Sequence, residues 1–173
     1  MTTAPETALT RHEIKDGGRV VKFTGELLAK VSSERRTAPR WTEMELYRTE
    51  RGMFVIHRIG RSIVFHISDC LQARQSRMPY GHEVPGGVKP LDLREMAPCP
   101  NCGPSRQDPP ETLRFERTRS WAGIAEDADR AIEMLHRNDN GRRSLDWIAS
   151  DLLELASEID AEIRSAYRVE VVI

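Results

Sequence analysis

The chain has 173 residues, 31% of them charged, and a formal net charge of −1 at pH 7. That length fits one domain, or one domain with an appended helical unit, and is enough to bury a core. No apolar run approaches the roughly 18 residues needed to cross a bilayer, which speaks against a helical membrane protein.

Residues 1–17 are polar, lack periodicity and end in Gly17-Gly18, so they read as a flexible tail. Val20 to Phe23 is a short strand candidate, and Leu27, Leu28 and Val31 suggest one or two helical turns between Glu26 and Ser33. Residues 34–40, with Arg35, Arg36, Pro39 and Arg40, form a basic loop. From Trp41 to Thr49 the pattern has period two. Trp41, Glu43, Glu45 and Tyr47 share one face, and Thr42, Met44, Leu46 and Arg48 the other. Glu50-Arg51-Gly52 is a turn, Met53 to Ile59 a strand, Gly60-Arg61 a turn, and Ser62 to Ile67 a third strand, which together predict an antiparallel meander.

Residues 71–90 form a long loop rich in Pro and Gly, followed by about one helical turn at Asp92–Met96. Pro109-Pro110 marks a boundary, and 112–118 is one more strand candidate. Ile124, Ala128, Ile132 and Leu135 recur at helical spacing, as do Ile148, Leu152, Leu155 and Ile159. Asn138 to Gly141 breaks the pattern and Ser144 is a candidate cap, so the segment predicts a helical hairpin. Tyr167 to Ile173 is a candidate terminal strand.

The three cysteines carry the most chemical information. His66 and Cys70 stand four apart at the end of the third strand, and Cys99 and Cys102 form a Pro-Cys-x2-Cys-Gly knuckle. Two close pairs joined by a long loop are the pattern that wraps Zn²⁺ in a tetrahedral Cys3His site. His82 is the alternative fourth ligand. Cys70 can instead be an ordinary buried cysteine, and Cys99 and Cys102 a redox pair, although no βαβ setting surrounds them. His57, on a probable strand, reads as a packed or exposed residue. Three cysteines cannot all pair as disulfides, and the first residues lack a basic-then-apolar leader, so a cytoplasmic location is expected.

Residues 62–104, from Val64-Phe65-His66 through Cys70 to Pro98-Cys99-Pro100-Asn101-Cys102-Gly103, resemble the metal-binding domain of the Ada DNA-repair family. They also resemble the related zinc modules at the ends of some bacterial nucleases. The resemblance implies a ligand pair ending a strand, a second pair after a short helix, and a nucleic-acid surface. In that family the first ligand is a cysteine that accepts a methyl group from DNA. Here His66 stands in its place, and an imidazole on zinc is a far weaker nucleophile, so the repair chemistry is not expected.

Residues 1–107 hold 17 Lys and Arg against 12 Asp and Glu, and residues 108–173 hold 9 against 15. The basic part suits nucleic acid; the alternative is that the two parts neutralise each other internally. Arg35, Arg36, Arg40 and Arg61 are the candidate phosphate contacts, with Trp41 as a stacking group. Arginine outnumbers lysine 22 to 4, as a GC-rich bacterial or phage genome produces. No catalytic motif is present; Glu43 and Glu45 share a strand face that could hold a nuclease metal, but a solvated strand face is the favoured reading.

The expectation is therefore an α+β protein with a flexible tail (1–17), an antiparallel sheet with a zinc module (18–107) and a helical hairpin (111–173). Its expected role is zinc-stabilised, non-enzymatic nucleic-acid binding or accessory work. The competing class is a protein–protein adaptor, a phage-encoded inhibitor or a complex subunit, using the acidic hairpin.

Overall fold

The computed structural model describes residues 9–35, 38–62, 64–67, 80–81, 97–98, 113–116 and 118–168. The protein is α+β: a curled five-stranded antiparallel sheet followed by C-terminal helices. It divides into two compact units. The first gathers residues up to 33, 43–58 and from 120 onward; the second takes 34–42 and 59–119.

The sheet runs β1 (Thr10–Asp16), β2 (Arg19–Ser32), β3 (Arg40–Thr49), β4 (Phe54–Ser62) and β9 (Arg119–Ala125), in that order. The predicted alternation in β3 holds. Met44 and Leu46 point to one face, where they join Phe54 and Ile56 under the helices. Tyr47 points to the other, where it packs with Ile14 and Val55 and with the partly buried Val21, Phe23 and Ala122.

Strand β2 serves two neighbours. Its first half, up to Gly25, pairs with β1, and its second half, from Gly25, pairs with β3. The β1–β2 hairpin can therefore leave β3 and reach the far edge of the sheet. There the Gly17 N–H donates to the Ser120 carbonyl at 2.9 Å, and the Ala122 N–H to the Asp16 carboxylate at 3.2 Å. These two bonds bring the β1–β2 turn against β9, the other edge strand of the sheet. Gly25 is the residue at the changeover, and a Cβ there would overlap the Arg48 carbonyl oxygen. Gly25→Ala is expected to cost about 2 kcal/mol or more, because backbone cannot yield as a side-chain tip does. Urea unfolding checks this, and an unchanged midpoint would contradict it.

Several expectations are corrected. Thr10–Asp16 is a strand and not tail: Ile14 opposite Val21 buries its side chain, and this single apolar anchor is too little to show as periodicity. Glu26–Ser33 is strand and not helix. A bulge adds Leu28 between Leu27 and Ala29, so Leu28, Ala29 and Val31 all reach the helix-covered face. An extra residue breaks period two and mimics helical spacing. The expected turn at Gly60-Arg61 is absorbed into β4, which continues to Ser62.

The hairpin of two helices is corrected as well: among the described residues there are three helices, α1 (Ala128–Leu135), α2 (Trp147–Ile159) and α3 (Ala161–Tyr167). Between α1 and α2 lies a ribbon of β10 (Arg137–Asp139) and β11 (Arg142–Ser144). Its turn residues Asn140 and Gly141 both have positive φ, the backbone that Asn-Gly adopts to join two strands tightly. Asp127 and Asp146, not Ser144, cap α1 and α2, each accepting a backbone N–H. Asp160 ends α2 and caps α3, accepting from Glu162 and Ile163 N–H. Its other oxygen takes Arg48 at 2.6 Å, which ties α3 to the sheet. Tyr167 closes α3 rather than opening a strand; residues 169–173 lie outside the described residues. Ile124 belongs to β9, and Leu155 and Ile159 are exposed instead of packed.

The second unit has its own sheet, ordered β6 (Tyr80–Gly81), β8 (Leu113–Glu116), β5 (Val64–Ile67), β7 (Ala97–Pro98). Its connectivity makes it an excursion: the chain leaves the five-stranded sheet after β4 and returns at β9. No described helix is long and apolar enough to cross a membrane.

Candidate metal centre and nucleic-acid interface

The proposed zinc motif belongs to the second unit. His66 lies on β5, one residue after Phe65, and Cys99 follows Pro98, the last residue of β7. The two strands pair in parallel, with Val64 opposite Ala97 and Phe65 opposite Pro98. On its other side β5 pairs antiparallel with β8, so His66 stands opposite Arg114. Paired strands lie about 4.8 Å apart, so the backbones leading into the two ligand pairs leave from neighbouring positions. A separation of more than thirty residues in sequence is thereby reduced to one ladder spacing at Phe65 and Pro98. Cys70, Cys99, Cys102 and the alternative ligand His82 lie outside the described residues. Among the described residues no group of three or more His, Cys, Asp or Glu side chains converges on a metal position.

Of the basic residues singled out, Arg35 and Arg40 are exposed and Arg61 is partly buried. Arg36 lies outside the described residues. The Ala38 N–H donates to the Arg35 carbonyl at 3.0 Å, closing a turn at the start of the loop. Trp41 does not stand beside them as an open stacking face: it is 9% exposed.

Glu43 and Glu45 do not act as a pair. Glu45 is the centre of a buried polar cluster in the first unit. One of its oxygens accepts from the Tyr47 hydroxyl at 2.8 Å and from His57 Nδ1 at 2.9 Å. The other faces Lys30 Nζ at 3.1 Å, directly across the β2–β3 ladder. The hydrogen bond from His57, followed by those from Tyr47 and Lys30, outweighs burial and holds the Glu45 carboxyl down at about 2. An ionised carboxylate only accepts, so His57 carries its proton on Nδ1. Burial, then the bond to Glu45, pushes the Tyr47 hydroxyl well above its usual range. His57 is 7% exposed, and its Nε2 has no hydrogen-bond partner among the described residues. The sequence reading missed this cluster. Its signal was parity: Glu45 shares the Tyr47 face, which is interior.

A second arrangement the sequence reading missed is a cleft of about 490 Å3 beside the β3–β4 turn, bordered by β1, β2 and the end of β9. Its cations are Arg11, Lys22 and Arg51, its one carboxylate is Glu50, and Phe23, Met53 and Ile124 are among its apolar residues. These positions are scattered through the first 124 residues, and no spacing rule links them.

Comparison with family models, with curated proteins and with solved structures finds no match to this chain. The resemblance of residues 62–104 to the Ada family accordingly rests on the motif residues themselves.

Proposed function

We propose that the protein is a non-enzymatic, zinc-stabilised nucleic-acid-binding or accessory protein of a bacterial or phage system, acting in the cytoplasm. Zn²⁺ would be held by His66, Cys70, Cys99 and Cys102. The observation that carries the metal half is the pairing of β5 with β7, which sets the chain entering Cys99 beside the strand that bears His66. Four protein ligands leave no open position for a catalytic water, so the ion serves as a structural clamp. The nucleic-acid half is supported by the exposure of Arg35 and Arg40 around a Pro-containing loop.

Replacing Arg35, Arg36 and Arg40 together by Ala is expected to weaken binding to DNA or RNA. The slope of log affinity against log salt should fall by roughly one unit per lost phosphate contact. Titrations with single- and double-stranded DNA and RNA at two salt concentrations check it. Equal affinity before and after would remove these residues from the interface.

A second reading, a protein–protein adaptor, is favoured by one face of α2. Trp147, Leu155 and Ile159 lie four or eight residues apart and are exposed, among Asp151, Glu154 and Glu158. Exposed apolar side chains interspersed with carboxylates, Asp151 among them in the same row, suit a basic amphipathic helix. Association through it would depend little on salt compared with phosphate contacts.

A further inference from the structure

The residues lining the cleft beside the β3–β4 turn all belong to the first unit. We infer that it is a binding site for single-stranded nucleic acid, with a base against the apolar surface and the flanking phosphates on Arg11, Lys22 and Arg51. This inference rests on the nucleic-acid reading above and gives it a site and a preferred strand state.

Charge is the first argument. Three cations and one carboxylate, Glu50, line the cleft, and Glu13 beside Lys22 offsets a second charge, which leaves a net positive charge that suits an anion. The cations sit on different borders: Arg11 and Lys22 come from β1 and β2, and Arg51 from the turn after β3. Charges on several sides of an open cleft match a ligand carrying charge at repeated intervals along its length. Arg51 makes no hydrogen bond or ion pair among the described residues, and Arg11 acts on Glu13 through space. Lys22 is paired with Glu13 at 2.9 Å, but both side chains are about half exposed. Such a pair contributes little and exchanges readily for a phosphate.

The apolar surface is the second argument. Ile124 is 52% exposed at the cleft, next to guanidiniums, where a phosphate alone would have no use for it. Phe23 stacks on His12 with ring centroids 5.2 Å apart and meets the Tyr47 ring edge-on at 5.1 Å, so its ring is held in place. A fixed aromatic accepts any base face, and Phe23 and Lys22, adjacent on β2, border the cleft from opposite faces of the strand. A duplex keeps its base faces stacked inside and could engage only the cations. An acidic peptide would satisfy the cations but offers no flat face.

The test uses the full metal-loaded chain and a fluorescein-labelled oligothymidylate of about 12 nucleotides, within the span one small domain covers. Arg11→Ala with Arg51→Ala should weaken binding about tenfold and lower the salt slope by about 1.4, the value for two single-strand phosphates. Ile124→Asn, which adds no charge, should weaken binding with no loss of salt slope. A 5-bromouracil oligonucleotide photo-crosslinked to the wild type should label Phe23 or Met53, which decides the matter even where a variant fails to fold. If the wild type binds no nucleic acid at low salt, the proposed function itself fails. If it binds but only the Arg35, Arg36 and Arg40 variant weakens, the cleft is overturned alone. Poly-glutamate competing as well as the oligonucleotide, or duplex binding as tightly and ignoring Ile124→Asn, would also overturn it.

Discussion

Purified protein is expected to return one zinc ion per chain, and Cys99→Ser is expected to lose it together with the order of the second unit. Residues 71–98 have few large apolar side chains and many Pro and Gly, so a hydrophobic core can contribute little to ordering them. Structural zinc supplies about 10–16 kcal/mol of apparent binding free energy in small zinc modules, which becomes folding free energy when no preformed site exists. The effect should be local. The core of the first unit is built from β2, β3, β4, β9 and the helices and contains none of the four ligands. In Cys99→Ser, or after chelation, amide exchange should therefore rise across 59–119 and stay slow at Met44, Leu46, Phe54 and Ile56. Metal analysis that finds no zinc would refute the site. A Cys99→Ser protein with unchanged exchange and melting temperature would refute the structural role.

The second large effect is expected at Glu45. Its carboxyl is held at about 2 against an ordinary 4.5. A carboxylate depressed on folding contributes stability that is complete above the unfolded value and is lost as pH falls toward the folded one. The window is therefore pH 4.5 down to 2, and the shift corresponds to roughly 3 kcal/mol. Glu45→Gln should remove most of this pH dependence while keeping a partner for Tyr47. Glu45→Ala should be worse at every pH, by about 3–5 kcal/mol, because it strands the His57 Nδ1–H and the Tyr47 hydroxyl in a buried place. Urea unfolding at pH 7, 4 and 3 separates the three proteins. Parallel pH curves for wild type and Glu45→Gln would show that Glu45 is not the titrating group.

Part of the sheet was legible: β3 and β4 obey the simplest rule, whereas β1 read as tail, the second half of β2 as helix and Ile124 of β9 as helix. In β3 the alternation from Trp41 to Thr49 named both faces, and the structure puts Met44 and Leu46 on one and Tyr47 on the other. Helical segments were legible as apolar spacing, but their number was not. Asp160 lets one apolar run become α2 and α3, because its carboxylate caps the second helix and its backbone N–H still bonds Ala156. Where reading failed, local pattern had been altered by something distant or irregular. The bulge at Leu28 reversed strand parity, and the strand at Thr10–Asp16 is held by pairing with β2 rather than by its own hydrophobicity.

By itself the sequence determined the α+β class and the faces of β3, since each is written in residues close together along the chain, and it is the sole basis of the proposed zinc motif. Only the tertiary structure decided that β2 changes partner at Gly25, that β5 and β7 meet, and that Glu45 is buried against His57. It alone gathered Arg11, Lys22, Arg51 and Ile124 around one cleft. The physical reason is the same in each case. Periodicity and capping are energies of neighbours in sequence, whereas strand pairing, burial and convergence of charge are energies of neighbours in space, set once the whole chain has closed around its core.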